Sequence, residues 1–108
     1  MDKFVARANI DHYLGILNGA DLSVSDRATV IVLLNAEIDL LSQHTDQISF
    51  AEDRHARSRV QVDHQKNVRD GFADGSRERE MANGRVAEME AVCALLDQFR
   101  RRLLKNAV

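Results

Sequence analysis

Four histidines, one cysteine and several clusters of charge are the side chains here whose chemistry could be put to work. A metal site on a helix needs ligands sharing one face, commonly at i and i+4, with a carboxylate behind them. No two of His12, His44, His55 and His64 have that spacing. Glu52 and His55 share a face, yet they are two ligands at most, so we expect no metal and no cofactor. Phosphotransfer makes smaller demands: one exposed histidine on a long helix, flanked by polar and basic residues. His64, within Asp63-His64-Gln65-Lys66-Asn67, meets that description. His55, between Arg54 and Arg57, is a second candidate phosphoacceptor, because nearby cations stabilise a phosphoryl group.

Nucleophilic catalysis finds less to use. Cys93 lies among Ala91, Val92, Ala94, Leu95 and Leu96, and apolar surroundings raise a thiol pKa and leave it inert. The sequence predicts a buried structural thiol. There is no Gly-x-Ser-x-Gly turn, and the glycines at 15, 19, 71, 75 and 84 form no phosphate-cradling loop. Paired carboxylates such as Glu52-Asp53 and Glu88-Glu90 fit solvated helix surface. We expect no enzyme and no small-molecule substrate.

Charge narrows the partners. Fifteen basic and seventeen acidic residues leave a formal charge of −2, whereas a nucleic-acid binder needs a basic surplus or a clustered basic face. Arg100-Arg101-Arg102 with Lys105 is the densest basic cluster, and cations near a helix C-terminus stabilise its dipole. No aromatic residues interleave it as stacking on nucleic acid would require. Between Ser49 and Glu80 seven acidic and seven basic residues crowd together. Arg54, Arg57, Arg59, Lys66 and Arg69 are the candidate partner-binding residues of this arm. Charge placement sets partner choice more than raw affinity.

These residues need elements to hold them. Proline is absent, so nothing fixes φ or removes a backbone donor within a helix. Alternating β-branched runs are few, and the class is all-α: a small bundle of three to four helices with a long antiparallel helical hairpin. A first helix from about Lys3 to Asn18, capped by Asp2, gathers Val5, Ala6, Ile10, Tyr13, Leu14, Ile16 and Leu17 on one broad side. Asn18-Gly19 reads as its stop, with Gly19 free to turn left-handed. Ser23 with Asp26 three residues on caps a second helix that runs through about His44 or beyond. Its Val30–Leu34 run is apolar all round, as for a helix lying between neighbours. Gly71-Phe72-Ala73-Asp74-Gly75 is a turn, and Ser76 then caps the last helix, which runs to about Lys105 with Asn83-Gly84 as a weak point inside it. The charged segment is either the distal part of one long hairpin or a separate third helix that begins near Thr45.

Met89, Val92, Leu96, Phe99 and Leu103 are spaced three, four, three, four, a regular apolar seam on the last helix. It closes an intrachain core or also pairs across a two-fold axis. With Ala91, Cys93, Leu95 and Leu104 lying off that row, the expected state is a homodimer. One domain of 108 residues is predicted, with a core base at about 3–48 and 86–105 and a polar arm at about 49–85.

Asn9-Ile10-Asp11-His12-Tyr13 with Ile16-Leu17, then Leu33-Leu34, Glu37 and Leu40-Leu41, resembles a group of short uncharacterised bacterial helical proteins. Those carry an Asn-Ile-x-His/Arg-Tyr/Phe helix followed by a Leu-Leu-x-x-Glu helix. The likeness covers residues 9–41 and implies a bacterial, helical origin without a known activity. Asp63–Asn67 is also loosely similar to the histidine-kinase pattern of a histidine followed closely by Lys-Asn, displaced by one residue. The segment Met1–Val5 shows no basic stretch leading into an apolar one, and Val30–Leu34 is too short to span a bilayer, so the cytoplasm is expected, without membrane contact. The sequence thus points to a non-catalytic interaction or regulatory module, an adaptor or inhibitor of a larger protein machine. Histidine phosphotransfer is the alternative.

Overall fold

A computed structural model describes residues 3–19 and 22–107. They are all-α, with no strand among them: α1 (Lys3–Asn18), α2 (Val24–Leu41), a single 3-10 turn (Thr45–Gln47), α3 (Ile48–Asp70) and α4 (Arg77–Asn106). The chain divides into two compact units, Met1–Gln47 with Arg102–Val108, and Ile48–Arg101. Of the seam residues, Met89, Val92, Leu96 and Phe99 fall in the unit of α3 and Leu103 in the first unit. The apolar side chains of α3 need a covering helix in their own unit, and α4 is the helix present there.

In the first unit, α1 and α2 pack against each other. α1 buries Ala6, Ile10 and Leu17; α2 buries Arg27, Leu34, Ile38 and Leu41. Leu34, Ile38, Leu41 and Ile10 are fully enclosed, each worth roughly 1.5–3 kcal/mol relative to exposure. The start of α2 is set by Ser23, whose Oγ accepts from Asp26 N at 3.1 Å. This satisfies one of the first-turn donors that have no partner within a helix. The expected cap Asp2 lies outside the described residues. α1 does stop at Asn18, but Gly19 is not left-handed; its N–H bonds Ile16 O at 3.1 Å in a tight final turn.

α2 ends at Leu41, short of His44, and the charged segment is a separate helix. The break contains neither glycine nor proline. Ser42 N–H still bonds Ile38 O, then His44 N bonds Leu41 O and Gln47 N bonds His44 O at 3.0 Å each, so the chain tightens before restarting at Ile48. Contacts at the end of α2 hold this corner. Lys3 Nζ meets Asp46 Oδ2 at 2.5 Å, Arg102 Nη1 meets Asp39 Oδ1 at 2.8 Å, and Asn106 Nδ2 donates to Ser42 O at 3.4 Å.

In the second unit α3 and α4 form an antiparallel hairpin through the Gly71–Gly75 turn. Gly75 has φ +76, a conformation that side chains with a Cβ adopt at a cost, and Ser76 Oγ then accepts from Arg79 N at 3.1 Å to start α4. α4 runs unbroken through Gly84. Its seam residues Met89, Val92, Leu96, Phe99 and Leu103 are all buried, so the seam forms core within the chain.

Candidate functional site

α2 is where the burial departs most from the sequence expectation. Instead of lying between neighbours on all sides, it leaves one apolar side in solvent. Val32 is 68% exposed, Leu33 43% and Leu40 41%, and Thr29 before them and Ala36 among them are exposed as well. These positions fall at steps of three and four, so they form one row along the helix. No charged residue lies between Ala28 and Ala36. The physical reason is numerical: α2 carries enough apolar residues for two faces, and the buried row of Arg27, Leu34, Ile38 and Leu41 uses only one.

Asn9 and Glu37 meet between α1 and α2. Asn9 Nδ2 donates to Glu37 Oε1 at 3.1 Å, while Oε2 is buried with no hydrogen-bond donor among the described residues. Arg27, which the sequence reading did not single out, is buried near the start of α2. It donates to Leu17 O at 2.8 Å and to Gly19 O at 3.0 Å, closing the carbonyl end of α1. A signal for it was available: α1 has no cation in its own last turn, and its terminal carbonyls require donors from elsewhere.

The chemistry-bearing side chains of the second unit converge on a groove of about 330 Å³ lined by His55, Arg59, Val62, Asp63, Glu90, Cys93, Ala94 and Asp97. Asp97 is its node. It accepts from Arg100 Nη2 at 2.6 Å and Arg101 Nε at 3.0 Å, and His55 Nε2 lies 3.8 Å away across the hairpin. The Arg100 hydrogen bond, with the charges of Arg101, Arg100 and His55, holds the Asp97 carboxyl below its usual range against an opposing effect of burial. The basic cluster at 100–102 is therefore split: Arg100 and Arg101 turn to Asp97, while Arg102 reaches Asp39.

Cys93 is half-buried rather than buried, because position 93 stands one step round the helix from the seam residue Val92. No hydrogen bond joins its thiol to His55, and among the described residues no group of three or more His, Cys, Asp or Glu side chains could hold a metal ion. Of the two histidine candidates, His64 is exposed on α3, whereas the Nε2 of His55 faces a carboxylate that would repel an incoming phosphoryl group.

The five arm residues do not form one patch. Arg54 pairs with Asp53 and lies over the Phe50 ring, its guanidinium 4.3 Å from the centroid. Arg57 reaches Asp53 at 3.1 Å and Arg69 reaches Asp70 at 3.0 Å. Arg59 and Lys66, seven apart, share a side of α3, and Arg57 lies about 160° round the helix from Arg59. No helix of the described residues is long and apolar enough to cross a membrane. Comparison with family models, with curated proteins and with solved structures finds no match for this chain.

Proposed function

We propose that this chain is a non-catalytic helical protein–protein interaction module that acts as an adaptor or inhibitor, and that it self-associates as a homodimer. The reading rests on the uncharged outer row of α2, Thr29, Val32, Leu33, Ala36 and Leu40, left in solvent after α2 has filled its share of the core. Soluble monomers rarely leave a contiguous apolar row unused, and two-fold dimers are the commonest assemblies that cover one. The mixed-charge hairpin then supplies the polar surface that selects a further partner.

Solution mass by light scattering, across a wide range of concentration, is the test. The expected result is a mass of twice 12.2 kDa for the wild-type chain. Val32→Glu combined with Leu40→Glu should return it to a single chain with unchanged helicity, since both positions are already exposed. A wild-type monomer at every concentration, or a dimer that survives both substitutions, overturns the assignment.

A further inference from the structure

The α3–α4 hairpin joins two rows of unequal character. The least exposed row of α3 is Ala51, His55, Ser58, Val62, Gln65 and Arg69, at alternating steps of four and three. That is coiled-coil spacing, yet four of the six residues are polar. The corresponding row of α4, Ala82, Val86, Met89, Val92, Leu96 and Phe99, is apolar and buried throughout.

The mismatch is concentrated at the tip. Beyond Val62, α3 buries no apolar side chain, and Val68, Phe72 and Met81 are all exposed. Opposite them α4 contributes only Ala82 and Val86 before Met89, with Gly84 between, a residue that weakens a helix interior. The ion pairs nearest the turn, Arg69–Asp70, Arg79–Asp70 and Arg79–Asp74, each have an exposed carboxylate and contribute little, while the part-buried Arg85–Glu88 pair lies within α4. The half of the hairpin away from the turn holds Phe50, Ala51, Leu96 and Phe99, all buried.

We propose that the tip, from Val62 through the Gly71–Gly75 turn to Val86, is a conformational device: it opens reversibly as one unit while the Phe50–Phe99 half stays packed. Local opening follows regions of few buried apolar contacts and exposed polar surface, and this segment has both. Whatever binds the closed tip stabilises it by mass action, so its opening constant responds to ligands that leave global unfolding almost unchanged. The inference stands independently of self-association through α2.

Native-state hydrogen exchange read by mass spectrometry tests it. Amides of 62–86 should show protection about a hundredfold lower than those of 89–99. Ser58→Leu with Gln65→Leu gives the α3 row an apolar run from Ser58 to Gln65 and should slow tip exchange about tenfold or more. The slowing should appear in the α4 amides of 77–86 as well as in α3, because the tip is a single unit. Gly84→Ala, whose added Cβ meets nothing within 4 Å, should slow the same amides about fivefold. Uniform protection across Ile48–Arg101, or slowing confined to the helix that carries the substitution, overturns the proposal.

Discussion

Replacing Arg27 tests whether a buried cation on α2 holds the end of α1. Arg27 is only 6% exposed and, among the described residues, donates to two carbonyl oxygens, those of Leu17 and Gly19. Arg27→Met keeps most of the aliphatic stem and removes every donor. Each acceptor losing a charged donor costs about 1.5–3 kcal/mol, which sets an upper range of about 3–6 kcal/mol for the two. Removing the guanidinium also relieves its own desolvation, a cost of several kcal/mol for a buried ion. We therefore expect a net loss of about 2–3 kcal/mol. In urea, with a slope of about 1–3 kcal/mol per molar, the unfolding midpoint followed by circular dichroism should fall by about 0.7–3 M. Arg27→Lys offers one compact ammonium where a planar fork had served two carbonyls, and should retain about half of the stability. A Met variant whose midpoint lies within error of wild type would show that the two carbonyls are satisfied without Arg27, and the reasoning would fail.

Two further outcomes are expected. Gly75→Ala places a Cβ on a residue with φ +76 and should destabilise the chain by about 1–2 kcal/mol in the same urea measurement. Asp97, lowered by Arg100, Arg101 and His55, is a group whose native proton affinity is below its unfolded one. Its contribution is therefore complete above the unfolded carboxylate value, about 3.9, and is lost as the pH falls through the lower folded value. Asp97→Asn should remove that part of the acid dependence, so the gap between the wild-type and variant stability curves is constant above about pH 4 and closes as the pH falls below it; a gap that does not narrow below about pH 4 would count against the ion-pair node.

What could be read from the sequence was chemistry that acts within a few residues. Ser23 with Asp26, Ser76, and the Gly71–Gly75 turn carry their own hydrogen-bond logic, and the start of α2 and the start of α4 lie where that logic puts them. The break at Thr45 was not legible in the same way. Ser42–Gln47 holds no glycine or proline, and the corner is held by Lys3, Arg102 and Asn106, which lie far along the chain. Candidate site residues could be named by type, but the meeting of His55 with Asp97 depends on the register of a hairpin whose α3 row is mostly polar.

The α2 row shows why function was harder to read than fold. Periodicity reports which residues could be buried, and Val30–Leu34 satisfies every direction at once. Deciding which of those directions faces water requires knowing where the neighbouring helices stop, and that is a property of the packed unit. Subtracting the buried row Arg27, Leu34, Ile38 and Leu41 from the apolar set leaves Val32, Leu33 and Leu40 as a remainder. An apolar remainder costs solubility in a monomer and becomes useful only when something covers it. The seam on α4 has the stronger sequence pattern, yet it is consumed by the chain's own core. The surface with the weaker pattern is therefore the one available to a second molecule.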